Sequence, residues 1–343
     1  MKAVFAVLTV LAFATACGDA RTRIEIVGSS TVFPFASIVA EQFSALTEFE
    51  TPKVEANGTG GGIAIFCQDS SILSPEIANA SRRIKKSEFE TCEKAGVNGI
   101  IELKIGYDGI VIASAKTGQT LNFSRKQIFL ALAKQLPIDG KLVANPYRYW
   151  NEIDPSLPHI LIDVMGPPPT SGTRDAFVEL VMEKGAAEIP YFEDIHKSDK
   201  DRFKELATSI REDGVWKDMG ENDNLIVQAL VRNPDQFGVF GYAFFEENAD
   251  RIKVANIDRI APTVENISSG QYSASRSLYI YAKQQHIGMI PGLQEYLLEF
   301  VSKRAAGING YLGERGMIPL PETERAHSAR IAQNLIIMSR PEK

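Results

Sequence analysis

The sequence has little of what enzymes and nucleic-acid binders depend on. Its 343 residues include only three cysteines and four histidines. His159, His196, His286 and His327 are scattered, and none has metal-ligand spacing. No metal and no cofactor is expected. There is no Gly-Lys-Ser/Thr phosphate loop and no Gly-x-Ser-x-Gly elbow. Gly58–Gly62 is not a dinucleotide motif, because Ile63 stands where a third glycine belongs. Serines without a neighbouring base are hydrogen-bond donors rather than nucleophiles, so the chain reads as non-enzymatic. Positive charge is in deficit: 37 Lys and Arg stand against 43 Asp and Glu, a net charge of −6. That balance argues against nucleic acid as a partner. It also means that any anion site must be built from local dipoles and a few buried cations. Long apolar runs and fixed-period repeats are lacking as well.

The one apolar run, Ala3–Ala14, follows Lys2 and precedes Thr15-Ala16-Cys17-Gly18-Asp19-Ala20. It is too short to span a bilayer and has the order of a secretory signal peptide, expected over residues 1–20. Cleavage after Ala20 releases a soluble protein. Cleavage before Cys17 leaves a cysteine for lipid attachment, and Ala14 makes this second outcome the less favoured. Removing Lys2 and Asp19 leaves the charge balance unchanged. Cys67 and Cys92 then remain as one pair, which an exported protein is expected to oxidise to a disulfide. With 44% hydrophobic residues the chain has apolar mass for two domains.

Past residue 20, strands and helices alternate. Ile24–Val27, Lys53–Ala56, Gly106–Ser114, Ile160–Met165 and Leu278–Ala282 read as strands, and Val239–Tyr242 as a buried strand or turn. Helical spacing covers Pro34–Glu48, Ala176–Lys184, Leu225–Val231, Gly292–Ala305 and Thr323–Met338. The pattern predicts an α/β architecture, and ligands in such folds sit where strands give way to helices.

Three strand-to-helix junctions share one composition: Gly28-Ser29-Ser30-Thr31-Val32, Gly58-Thr59-Gly60-Gly61-Gly62 and Thr170-Ser171-Gly172-Thr173-Arg174. A helix start exposes unpaired N–H groups at the positive end of its dipole. Glycine admits close approach, and Ser or Thr adds an O–H donor. One such junction is ordinary helix capping. Three together point to a tetrahedral oxyanion. A fourth, Asn79-Ala80-Ser81-Arg82-Arg83-Ile84, adds arginines, read either as a ligand fork or as a solvated basic face.

At these residues the sequence resembles the phosphate-binding proteins of the phosphate-specific ABC importer. GSSTVFPF, NGTGGGIAIFC, IANASRRIK, GYDGIVIA, SGTRDAFVEL, ENDNLIVQAL, FGVFGY and SRSLYIYAK occur in that family's order, down to GYLGERGMIPLP. The resemblance implies a two-lobed periplasmic-binding-protein (flytrap) fold with two crossover strands and the ligand in the interlobe cleft. Crossovers fall near Gly106–Ser114 and Arg276–Tyr281, giving lobe one as 21–108 plus 277–343 and lobe two as 109–276. The family's ligand positions match Thr31 and Val32 with Ser30 alongside, Thr59, and Ser171, Gly172 and Thr173; the second and fourth junctions add Gly60 and Ser81 as candidates.

Two positions depart from the family pattern. Arg82 stands where many members have the Asp that accepts the proton of hydrogen phosphate. Pro167-Pro168-Pro169 stands where many have an Arg, leaving Arg174 as the nearest cation. Arg174 is therefore expected to supply the buried positive charge, with Arg82 second, and Asp108 or Asp175 to accept the ligand's proton. The expected function is capture of inorganic phosphate in the periplasm and delivery to an ABC permease by a monomer. The alternatives are another tetrahedral oxyanion such as sulfate, or a sensing or adhesion role on the same fold.

Overall fold

The computed structural model describes residues 21–220 and 222–342. The expected signal peptide and Cys17 lie outside the described residues.

Strand β1 (Glu25–Gly28) leads into helix α1 (Phe33–Leu46), and β2 (Lys53–Ala56) leads into α2 (Gly58–Phe66). Strand β3 (Ile77–Ala80) precedes α3 (Lys86–Lys94) and the long β4 (Ile100–Ala115). Parallel pairing of β1 with both β2 and β3 brings the carboxyl ends of three strands to one edge. Helix α1 presents Phe35, Ala36, Val39, Ala40 and Phe43 to the core at helical spacing. There Phe43 meets Tyr296 edge-on, with ring centroids 5.6 Å apart. Helix α2 starts at Gly58 itself, so the glycine run forms the first turns of a helix rather than a loop before one. The reason is packing: a Cβ on Gly62 would lie 2.2 Å from the Gly28 Cα, so only glycine lets α2 lie against the end of β1.

The sheet order is β2–β1–β3, then the Ser275–Lys283 strand, β4, and the strands Phe237–Gly241, Val164–Gly166 and Trp216–Asp218. Strand β4 serves both halves. Ile100–Gly109 pairs antiparallel with Ser275–Lys283. Ile110–Ala113 pairs with Gly238–Gly241, and Ala113–Ala115 with Ile252–Val254. Two crossover strands therefore join two lobes, each with its own core. One core gathers Phe35, Phe43, Leu103, Ile280, Tyr296 and Phe300. The other gathers Phe123, Phe129, Trp150, Phe177, Val239 and Phe240. The C-terminal return touches both, since Met317 packs in the first core and Ile318 and Leu320 in the second.

The expected Ile160–Met165 strand is shorter than its apolar run. Only Val164–Gly166 joins the sheet, because Ile160 and Ile162 make backbone bonds to Trp150 and Arg148 instead. Cys67, at the end of α2, and Cys92, in α3, form the expected disulfide, with Cα atoms 4.3 Å apart. It stands beside a small cluster of Ile63, Phe66, Ile84, Phe89 and Val97.

Candidate anion-binding site

The first and third junctions meet across the lobes. The Ser30 hydroxyl donates to Asp175 Oδ2 at 2.6 Å, and Thr31 Oγ1 lies 3.5 Å from the Gly172 carbonyl. A Cβ on Gly172 would lie 3.0 Å from the Thr31 backbone, so glycine sets how closely the loops approach. Val32 points its side chain into the core and leaves only backbone for the cleft. Ser171 caps the helix that begins at Gly172, its Oγ accepting the Thr173 N–H at 3.3 Å.

The second and fourth junctions also pair. Thr59 Oγ1 sits 3.0 Å from Ser81 Oγ and accepts the Ser81 N–H at 3.1 Å. Arg82 makes a forked pair with Glu88, at 2.9 and 2.7 Å. Glu88 caps α3 through the Lys85 N–H. That pairing holds the Arg82 guanidinium above its ordinary pKa.

The cation where these junctions meet is Arg276, which is not among the residues expected from the sequence. It stands directly opposite Asp108 in the ladder between the crossover strands. A register shift between Leu278 and Tyr279 bends the ladder there. Arg276 shares the face of Leu278 and Ile280, which face the first core, so its head emerges where α1 begins. Its Nη2 donates to Thr31 Oγ1 at 2.7 Å, and its Nε lies 3.3 Å from Asp108 Oδ2. Its Nη1 is held by Glu179, across the cleft from Thr31. Only 9% of the Arg276 side chain is exposed. Burial pushes the Asp108 carboxyl above its usual pKa, with Arg276 pulling against it. No short-range motif marks this pair; its only sequence signal is an arginine and an aspartate on the two segments read as crossovers.

Arg174, expected to supply the cleft cation, turns elsewhere. Its guanidinium lies over the Trp216 ring at 4.5 Å and reaches Asp218 at 3.5 Å. Burial lowers its pKa, and Asp218 opposes the shift. Being next to a donor loop in sequence did not make it face the cleft.

Two cavities flank Arg276 and Asp108. One, of about 360 Å³, has Thr31, Asp108 and Ser171–Thr173 on its wall with Asp223, Glu247 and Glu314 against Arg315. The other, of about 700 Å³, has Thr59, Gly60, Ser81, Arg82 and Arg276. Lys85, Lys184 and Lys204 add positive charge there, against Glu179 and Glu183. The second cavity carries the larger share of positive charge, and Arg276 and Asp108 stand between the two.

Two lobes on paired crossover strands, with donors from both lobes converging between them, define the architecture of a solute-binding protein. A model of the PBP superfamily domain matches residues 15–304, and the chain belongs to that superfamily. Protein SphX of Synechococcus elongatus is 29% identical over 307 residues, 88% of this chain and 78% of SphX. The phosphate-binding protein PstS of Staphylococcus saprophyticus is 27% identical over 302 residues, 87% of this chain and 80% of that one. A crystal structure described as a possible phosphate binding protein, from Planctomyces limnophilus, matches with a TM-score of 0.73 at 25% identity, covering 92% and 98% of the two chains. An ABC-type phosphate transport receptor from Vibrio cholerae shares the fold, with a TM-score of 0.57 at 18% identity over 87% and 100%.

Proposed function

We propose that this protein binds inorganic phosphate in the interlobe cleft and delivers it to an ABC-type permease from the periplasm. The observation that carries the reading is Arg276, a nearly buried cation fixed by Asp108 and Thr31 beside the Thr59–Ser81 hydroxyls. Helix starts supply only partial charges, so a dianion leaving water needs a full cation as well. A guanidinium fork matches two oxygens of one tetrahedral face. In this reading Thr59, Ser81, Arg82 and Arg276 hold the anion, with Thr31 and Val32 at the start of α1. Ser171, Gly172 and Thr173 close from the other lobe, and Arg174 braces Trp216 and Asp218. The names of the relatives point to the same ligand.

The lobes are assigned as 21–108 plus 277–343, and 109–276. The exchange of β4 pairing between Gly109 and Ile110 supports that boundary. Carboxylates beside the cation favour phosphate over sulfate, since only hydrogen phosphate brings a proton to share. Asp108 is the stronger acceptor candidate, being buried and raised in pKa, whereas Asp175 already accepts from Ser30. Among the described residues no group of three or more His, Cys, Asp or Glu is placed to hold a metal, and no helix is long and apolar enough to cross a membrane. Thermal unfolding with added anions tests the reading. Phosphate should raise the midpoint in a saturating, concentration-dependent way, and sulfate only at far higher concentration. Equal shifts with both anions would count against it.

A further inference from the structure

Within that reading, we propose that Glu179 is an internal occupant of the anion site, which the ligand must displace from Arg276. Glu179 lies in the segment Val178–Met182, where the helix begun at Gly172 widens into a π-type turn before continuing to Ala186. Such widened turns re-aim side chains and recur at functional sites. Here the turn belongs to the lobe opposite β1 and α1, and its Glu179 carboxylate reaches Nη1 of Arg276 on the crossover strand.

The two partners are unequal. The Arg276 side chain is 9% exposed and tied on its other nitrogens to Asp108 and Thr31. The Glu179 side chain is 45% exposed. The carboxylate can swing into water at little cost, while the guanidinium stays. An incoming oxyanion that uses the Nη1 donor therefore takes the place of Glu179. The same contact ties the helix of the second lobe, through the crossover-strand Arg276, to Thr31 at the start of α1 and so clasps the lobes without any ligand. Glu179 thus sets a threshold: a ligand binds only if its charge and geometry at Arg276 exceed those of a tethered carboxylate. That threshold favours a tetrahedral dianion over a monoanion.

Glu183 provides the control. It lines the same cavity one helical turn further on, and its carboxylate makes no ion pair with Arg276. Removing its charge changes the field of the cavity but leaves the clasp. The test is titration of wild type, Glu179→Gln and Glu183→Gln with inorganic phosphate, together with small-angle scattering of each in phosphate-free buffer. Partly exposed ion pairs are weak, so Glu179→Gln is expected to tighten phosphate by about two- to fivefold. It should also enlarge the radius of gyration of the phosphate-free protein, and Glu183→Gln should do neither to the same extent. Unchanged or weaker binding in Glu179→Gln, or an equal gain in Glu183→Gln, overturns the proposal. If wild type binds no phosphate, the functional reading fails on its own. The scattering then still decides the clasp, and an unchanged radius for Glu179→Gln refutes it.

Discussion

Arg276 and Asp108 face each other across the two crossover strands, 3.3 Å apart at Nε and Oδ2. The pair sits where the chain passes between lobes, with the basic cavity on the Arg276 side and the acidic one on the Asp108 side. A carboxylate in this place fixes the cation and repels a bare anion. It becomes favourable to a ligand that brings a proton. Asp108→Asn should therefore weaken phosphate and narrow the phosphate-to-sulfate ratio in competition titrations, and Asp175→Asn should change the ratio less. A ratio unmoved by Asp108→Asn would remove this carboxylate from the selection mechanism.

The disulfide closes a loop of 25 residues between the end of α2 and α3. Constraining the unfolded chain over such a loop contributes about 3 kcal/mol. The Cys67→Ala/Cys92→Ala double variant should lose roughly that much in urea unfolding. Phosphate affinity should change little, since the bond joins the far end of α2 to α3 and neither cysteine lines either cavity. Full stability in the variant would show the bond to be energetically idle.

Lys283 gives a pH signature. It is fully buried, donates to the Asp69 carbonyl at 2.8 Å and to the Ser74 hydroxyl, and lies 5.1 Å from the Phe66 ring centroid. Burial pulls its pKa down to about 8. An unfolded lysine titrates near 10.4. Between those values the unfolded chain binds a proton that the folded chain does not, so stability from this group rises with pH. The rise is bounded at about 3 kcal/mol. Between about pH 7 and about pH 9.5, urea unfolding should show wild type gaining stability relative to Lys283→Met. A constant difference would mean that Lys283 stays charged across the range.

The site was partly legible in the sequence. The junction loops could be read because glycine and hydroxyl residues directly after a strand have a local physical meaning, and Ser30, Thr31, Thr59 and Ser171 all line up at helix starts in the fold. The disulfide was legible from export and a single remaining cysteine pair. Arg276 was not, because its position depends on a ladder register with Asp108, far away in sequence, and on a bulge that no local pattern announces. Arg174 is placed differently from the expectation for the converse reason. It adjoins a donor loop, but Trp216 and Asp218 offer its guanidinium an aromatic face and a carboxylate, and none of the three lines either cavity. The Ile160–Met165 run misled because apolar residues alone do not say whether their backbone bonds go to the sheet or to a neighbouring loop.

The most direct test of the whole account is isothermal titration of inorganic phosphate into wild type, Arg276→Ala and Arg174→Ala. One site per chain is expected in wild type. Losing one partner of a buried charge contact should cost Arg276→Ala about 2–5 kcal/mol of binding free energy. Arg174→Ala should lose far less, acting only through the Trp216 and Asp218 brace. Phosphate binding of wild-type strength in Arg276→Ala, or its loss in Arg174→Ala alone, would contradict the assignment of Arg276 as the cation that receives the anion.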